Sequence, residues 1–115
     1  MEIDYIYSYS GKKESYTVYY SEHSWKTYYL DSYGMIKGSI EVNDYQKRGI
    51  TVNKCFLNSD GSLRYSHDFN FNENGHLDGV EEYFDFNIYE GVEKYWNDGD
   101  LIYESTSEKL NYRKN

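Results

Sequence analysis

Several residue types that most globular proteins use are missing from this chain or nearly so. Its 115 residues include no Ala, no Pro and one Cys, and their mean hydropathy is −0.95. The lack of Ala removes the strongest helix former. A single Cys, Cys55, excludes an intramolecular disulfide and a cysteine-based metal cluster.

Long apolar runs are also absent. No stretch approaches the ~20 apolar residues that a membrane-spanning helix requires. The opening residues, MEIDYIYSYS, carry acids where a secretory signal peptide carries positive charge. These features predict a single domain over residues 1–115, with no membrane span, in the reducing cytoplasm.

Aromatic residues take the place of the scarce aliphatic ones. The chain has 16 Tyr, 5 Phe and 2 Trp, which is 20% of its residues. Disordered chains are poor in aromatic residues, so this composition indicates a folded protein. Tyr also suits an exposed sheet, because its ring covers apolar surface while its hydroxyl stays in water.

The chain repeats itself with a period of about twelve residues. GVEEYF begins at Gly79 and GVEKYW at Gly91, a step of 91 − 79 = 12. Extending this phase in both directions places one turn residue before each strand, at Gly11, His23, Gly34, Gly49, Gly61, Gly75, Asn87 and Gly99. Three of these are the glycines of Asp-Gly or Asn-Gly pairs, which tolerate the positive φ angles of tight hairpins.

Between these turns, apolar and polar residues alternate with the period of two that is typical of strands. The prediction is an all-β protein, an antiparallel meander of about eight short strands, the first covering Glu2–Tyr9. Ser105 and Glu108 have capping-box spacing, so the last segment, STSEKLNYRKN, either forms a short C-terminal helix or frays. The strand register stays open, because a slip of one residue exchanges the two faces.

Glycine within a strand needs a physical reason, since it weakens strand pairing. Gly79 and Gly91 fall inside predicted strands. We expect an aromatic ring from a neighbouring strand to lie over the bare backbone at each of them.

The pattern G-x-x-x-Y-[F/W] at Gly79–Phe84 and Gly91–Trp96, with its Asn-Gly and Asp-Gly turns, resembles the MORN repeat. It is most similar to the variant found in small bacterial antitoxin and toxin-immunity proteins. The resemblance is good over Gly75–Tyr103, partial over Gly11–Gly38, and fails at Gly49–Leu57, which lacks the glycine and the aromatic pair. It implies a repeat β fold, and either an immunity function or a scaffold function, since MORN repeats serve both.

Charge is distributed unevenly along the chain, whose net charge is −8. Residues 1–67 hold eight acids and eight Lys or Arg, whereas residues 68–108 hold twelve acids and one base, Lys94. Nucleic-acid binding is disfavoured, because phosphates require a basic surface. An acidic half is either a solvated surface or the binding surface for a basic partner.

One segment approaches a calcium-binding loop. Asn70–Glu81 (NFNENGHLDGVE) has polar residues at positions one, three, five, nine and twelve, and Gly75 at position six. An EF-hand begins with Asp and is flanked by helices, whereas this segment has Asn and strands. A hairpin turn is therefore the preferred interpretation, and calcium binding the minor one.

Residues suited to catalysis do not form a recognisable set. His23, His67 and His76 lack metal-ligand spacing, and Cys55 sits in the strand-like GITVNKCFL with nothing nearby to activate its thiol. No nucleophile elbow or phosphate loop is present. The sequence predicts no catalytic, cofactor-binding or metal-binding residue.

The sequence therefore predicts a non-enzymatic binding protein. The leading hypothesis is an immunity protein or antitoxin that neutralises a basic, nuclease-like toxin domain through an acidic surface. The alternatives are a MORN-type scaffold, a phage or host regulatory binding module and a carbohydrate-binding module. The predicted partner-binding residues are Asp78, Glu81, Glu82, Tyr83, Glu90, Glu93, Tyr95, Trp96, Asp98 and Asp100.

Overall fold

The chain forms one open antiparallel sheet. The structure is a computed structural model that describes residues 2–108. Nine strands pair in sequence order, which confirms the all-β meander with one strand more than the approximate count of eight. The strands are β1 Glu2–Tyr7, β2 Lys13–Ser21, β3 Ser24–Leu30, β4 Ile36–Asp44, β5 Ile50–Leu57, β6 Leu63–Phe71, β7 Gly79–Asp85, β8 Glu90–Asn97 and β9 Asp100–Glu108.

All eight predicted turn residues lie in the connections between these strands. Five of the turn glycines have φ between 79° and 90°, which explains why glycine recurs there: Gly11, Gly34, Gly61, Gly75 and Gly99. The β4–β5 connection, where the repeat is weakest, instead contains a 3₁₀ turn at Gln46–Arg48. In the described part of the chain, no helix is long and apolar enough to cross a membrane.

The two ends of the chain differ from the sequence-based prediction. β1 ends at Tyr7 rather than Tyr9, because the amide of Gly11 donates to the carbonyl of Ser8 and closes the first turn there. At the other end, Ser105 and Glu108 belong to β9 and pair with β8, so the helix predicted to begin at Ser105 is wrong for these residues. The rest of the predicted helix, residues 109–115, lies outside the described residues.

The register sorts the side chains onto two faces. One face, called here the aromatic face, carries a ladder of rings contributed by β3, β5, β6 and β7: Tyr29, Phe56, Tyr65 and Tyr83. Successive rings have centroids 6.2, 5.0 and 5.6 Å apart. The opposite face, called here the polar face, carries Glu41, Asn53, Asp68, Glu82 and Glu93 in one row across β4–β8.

No second layer of the described residues covers either face. The molecule measures 45 × 42 × 23 Å, and among the described residues Val52 is the one buried hydrophobic side chain. Stability must therefore come from strand pairing and from contacts between cross-strand neighbours, each worth about 0.2–1 kcal/mol. The aromatic ladder meets this need, because each ring covers part of the next.

The glycines within strands have more than one role. Gly38 lies under the Phe56 ring, and a Cβ there would come within 2.9 Å of the Phe56 Cγ. The predicted ring over Gly79 is wrong, since a Cβ would meet only the Asn70 amide, 3.9 Å away, and its φ of +81° is what requires glycine. Gly91 is buried directly opposite Phe84, and the ring predicted over it stays a prediction.

Candidate functional site

The predicted partner-binding residues fall into three separate places. The aromatic face receives four of them, Glu81, Tyr83, Glu90 and Trp96, and the polar face receives Glu82, Glu93 and Tyr95. The remaining acids, Asp78, Asp98 and Asp100, lie at or beside the turns that precede β7 and β9. The structure therefore does not bring the ten residues together on one surface.

Glu81 is the centre of a polar cluster on the aromatic face. Its Oε2 accepts a hydrogen bond from Nε2 of His67 at 2.7 Å, and its Oε1 accepts one from Nε1 of Trp96 at 2.9 Å. The side chain of Glu81 is only 18% exposed. β6, β7 and β8 thus each contribute one member, because His67, Glu81 and Trp96 all point to the same side of their strands.

The environment of Glu81 favours its charged form. Burial on its own would raise the pKa of Glu81, but the hydrogen bonds from His67 and Trp96, together with the nearby charge of Lys94, outweigh it and lower the pKa below its usual value. Both carboxylate oxygens are engaged, so this group fixes its neighbours in place instead of presenting a free base.

A shallow cavity of about 240 Å³ lies beside the Glu81 cluster. It is lined by His67, Glu81, Tyr83, Val92 and Lys94. Lys94 lies directly across from Glu81 in the register, and its Nζ is 3.5 Å from Oε2 of Glu104 on β9. The cavity therefore has the charged groups of Glu81 and Lys94 in its lining, together with the side chains of Tyr83 and Val92.

The polar face carries the less compensated charge. Asp68, Glu82 and Glu93 lie directly opposite one another on β6, β7 and β8. Within residues 2–108 none of the three forms an ion pair. Asp68 accepts a hydrogen bond from Asn53 at 2.9 Å, and Glu93 accepts one from the Tyr95 hydroxyl at 2.7 Å, which raises the pKa of Tyr95. Three aligned carboxylates repel one another unless a cation lies over them.

A groove of about 390 Å³ accompanies this carboxylate row. Its lining includes the three carboxylates and two rings, Phe84 and Phe86, whose centroids are 4.6 Å apart in an edge-to-face arrangement. A cationic side chain lying here would meet negative charge and aromatic surface together.

Asp78 and Asp98 serve the turns. Oδ1 of Asp98 accepts hydrogen bonds from Asn72 and His76, which lower its pKa, and the amide of Asp98 donates to Oδ1 of Asp78. These bonds join the β6–β7 turn to the β8–β9 turn. Asp78 and Asp98 are thereby engaged within the protein, which leaves them less available to a partner.

The Asn70–Glu81 segment forms a turn whose two ends point apart. Asn70 alternates with Asp68 and belongs to the polar face, whereas Glu81 belongs to the aromatic face, so positions one and twelve cannot converge on one ion. Oδ1 of Asn72 accepts hydrogen bonds from the backbone amides of Asn74 and His76. Among the described residues, no group of three or more His, Cys, Asp or Glu side chains is arranged to hold a metal ion.

Sequence reasoning missed His67, Asp68 and Lys94 as members of these two clusters. A usable signal was present for His67, because it alternates with Tyr65, Phe69 and Phe71 in one strand and so shares their face. The pairing of Asp68 with Glu82 depends on the register between β6 and β7. These strands are joined by the longest connection, residues 72–78, and the sequence left their register open.

Comparison with protein-family models, with curated proteins and with solved structures found no match to this chain.

Proposed function

We propose that this chain is a non-enzymatic binding protein that holds a basic protein domain against the polar face of β6–β8. The observation that carries the proposal is the row of Asp68, Glu82 and Glu93, which lies directly across three strands without an ion-pair partner in residues 2–108. A row of like charges costs stability in the free protein. A partner that supplies Lys or Arg removes this repulsion on binding, and its encounter with the sheet is accelerated by the acidic field.

The particular role that we propose is that of an immunity protein or antitoxin. Its support is the acidic character of residues 68–108 together with the resemblance of the repeats to MORN-type antitoxins. Toxin domains that cleave nucleic acid have basic clefts, whose charge is opposite in sign to that of an acidic sheet. The single cysteine favours a reducing compartment, so we place this activity in the cytoplasm.

The test measures association with a purified nuclease-like toxin domain, which is the class of partner that the proposal names. The variant Asp68→Lys/Glu82→Lys/Glu93→Lys reverses the row. Its matched control, Glu2→Lys/Asp4→Lys/Glu14→Lys, makes the same charge change at the β1 and β2 end of the sheet. We expect the first variant to slow association by at least tenfold at about 0.05 M salt and the control to slow it much less, with the gap closing near 0.5 M.

The outcome in cells is equally specific. The first variant, once circular dichroism shows it folded, should no longer protect cells that express the toxin, whereas the control should protect them. Equal protection by both variants would make the carboxylate row a solvated surface and would favour the scaffold function.

A further inference from the structure

The sheet has two outermost strands, β1 and β9, and each is paired on one side only within residues 2–108. β1 pairs only with β2, and β9 pairs only with β8, as far as residues 2–108 are concerned. Each of these two edges presents a row of backbone N–H and C=O groups that another extended chain can bind. The two edges differ in length, since β1 has six residues and β9 has nine.

β9 carries few of the features that protect edge strands from pairing. Its sequence, DLIYESTSE, contains neither Lys nor Pro, and its one register shift, at Ile102, lies close to the turn. Leu101, Ile102 and Tyr103 are 48%, 66% and 55% exposed, so side chains that a neighbouring strand would cover stand open. From Tyr103 to Glu108 the pairing with β8 is regular, which gives an incoming strand a straight template.

Charge decides which kind of strand fits this edge. β9 carries Asp100 and Glu104, and β1, the other open edge, carries Glu2 and Asp4. Joining two copies edge to edge would set acid beside acid, which disfavours a second copy as the occupant. A strand that presents Lys or Arg toward β9 instead meets the net negative charge of residues 68–108, whose one base, Lys94, already lies 3.5 Å from Glu104.

We propose that β9 is the docking edge for an extended basic segment of the protein partner, which adds to the sheet as a tenth, outermost strand. Backbone hydrogen bonds to β9 supply affinity, and alternating basic side chains supply selectivity. The choice of a basic partner rests on the proposed function, whereas the mode of binding rests on the open edge. The same partner can then reach the polar face with the rest of its surface.

The experiment uses the whole chain and two synthetic peptides as probes. The first is an eight-residue peptide of alternating Lys and Val, and the second is the same peptide N-methylated at every residue, so that its charge is kept and neither of its edges can donate backbone hydrogen bonds. We expect the first peptide to slow amide exchange in β9 and not in β1. We expect the methylated peptide to bind at least tenfold more weakly.

Each other result overturns the strand addition. Equal binding of the two peptides would mean that charge alone holds them, and exchange protection confined to β1, or to neither edge, would remove β9 as the site. The proposed function fails separately, because it is tested by reversal of the carboxylate row with the toxin domain. If the row matters but β9 is not protected, the partner binds the polar face alone.

Discussion

Gly38 and Gly79 hold the same position in their repeats, four residues after the turn glycine, yet the structure needs glycine for a different reason at each. Gly38 has ordinary strand geometry and gives room to the Phe56 ring. Gly79 would bring a Cβ no closer than 3.9 Å to the Asn70 amide, but its φ is +81°. One sequence pattern therefore contains a packing constraint in one copy and a backbone constraint in another.

Gly38→Ala should destabilise the protein by about 1–3 kcal/mol, because the added methyl group overlaps the Phe56 ring and forces it off the backbone. Urea unfolding measures the change. Gly38→Ala should cost less unfolding free energy in the Phe56→Leu background than in the wild type, because the ring that it overlaps is gone. Additive effects of the two substitutions would contradict the packing explanation.

The effect of a substitution at Gly79 on stability should depend on how well the new residue tolerates a positive φ, and not on the size of its side chain. Gly79→Ala should cost roughly 1–2 kcal/mol, the price of a left-handed backbone for a residue with a Cβ. Gly79→Asn should cost less, since Asn tolerates this conformation better. Equal losses for Ala and Asn in thermal unfolding would argue against φ as the cause.

Glu81 links stability to pH. Its pKa is lowered in the folded state from an ordinary value of 4.5, so its contribution is fully present above that pH and is lost as the pH falls through the folded-state pKa. The stability difference between the wild type and Glu81→Gln should therefore be fully present at neutral pH and shrink as the pH falls below 4.5. Glu73→Gln, at an exposed position in the β6–β7 turn, is the matched control. A difference for Glu81→Gln that does not change with pH would contradict the assignment.

At the scale of the strand and turn, period and turn chemistry were readable from the sequence and pairing geometry was not. The turn glycines are local requirements on φ and marked six of the eight connections, and the period of about twelve residues located the other two, at His23 and Asn87. Which face Glu81 or Glu82 occupies depends on register, and register depends on turn length, which varies from repeat to repeat. Ser105 and Glu108 matched a helix cap by spacing alone, but pairing with β8 outweighed that local preference.

The β6–β7 turn offers a test at this scale. Asn72→Ala removes the bonds that Oδ1 accepts from Asn74 and His76 and the bond that Nδ2 donates to Asp98. We expect a loss of about 1–2 kcal/mol in unfolding free energy. Glu73→Ala, an exposed neighbour in the same turn, should change stability by less than about 0.5 kcal/mol. Equal losses of unfolding free energy for the two variants would mean that the hydrogen bonds of Asn72 do not stabilise the protein.

At the scale of the whole molecule, each strand contacts mainly the strands before and after it in the sequence. The radius of gyration is 16.7 Å, whereas a compact chain of this length has about 13 Å. Stability in such a flat arrangement is approximately a sum over neighbouring pairs. Strands at the edges have one neighbour and central strands have two.

Amide exchange should follow this arrangement. We expect the slowest exchange in β4–β6 and the fastest in β1 and β9, because an edge strand separates from the sheet by breaking one interface. Hydrogen exchange followed by NMR measures the profile on the free protein. Uniform protection across all nine strands would instead indicate one cooperative unit.

The strand order also has a consequence for how the protein is made. Residues paired across the sheet are at most 71 − 50 = 21 positions apart, as Ile50 and Phe71 are. Low sequence separation favours rapid folding. A chain emerging from the ribosome at roughly 5–20 residues per second completes a new hairpin every second or two. The sheet can therefore assemble in the order of synthesis, with each strand pairing to one already in place.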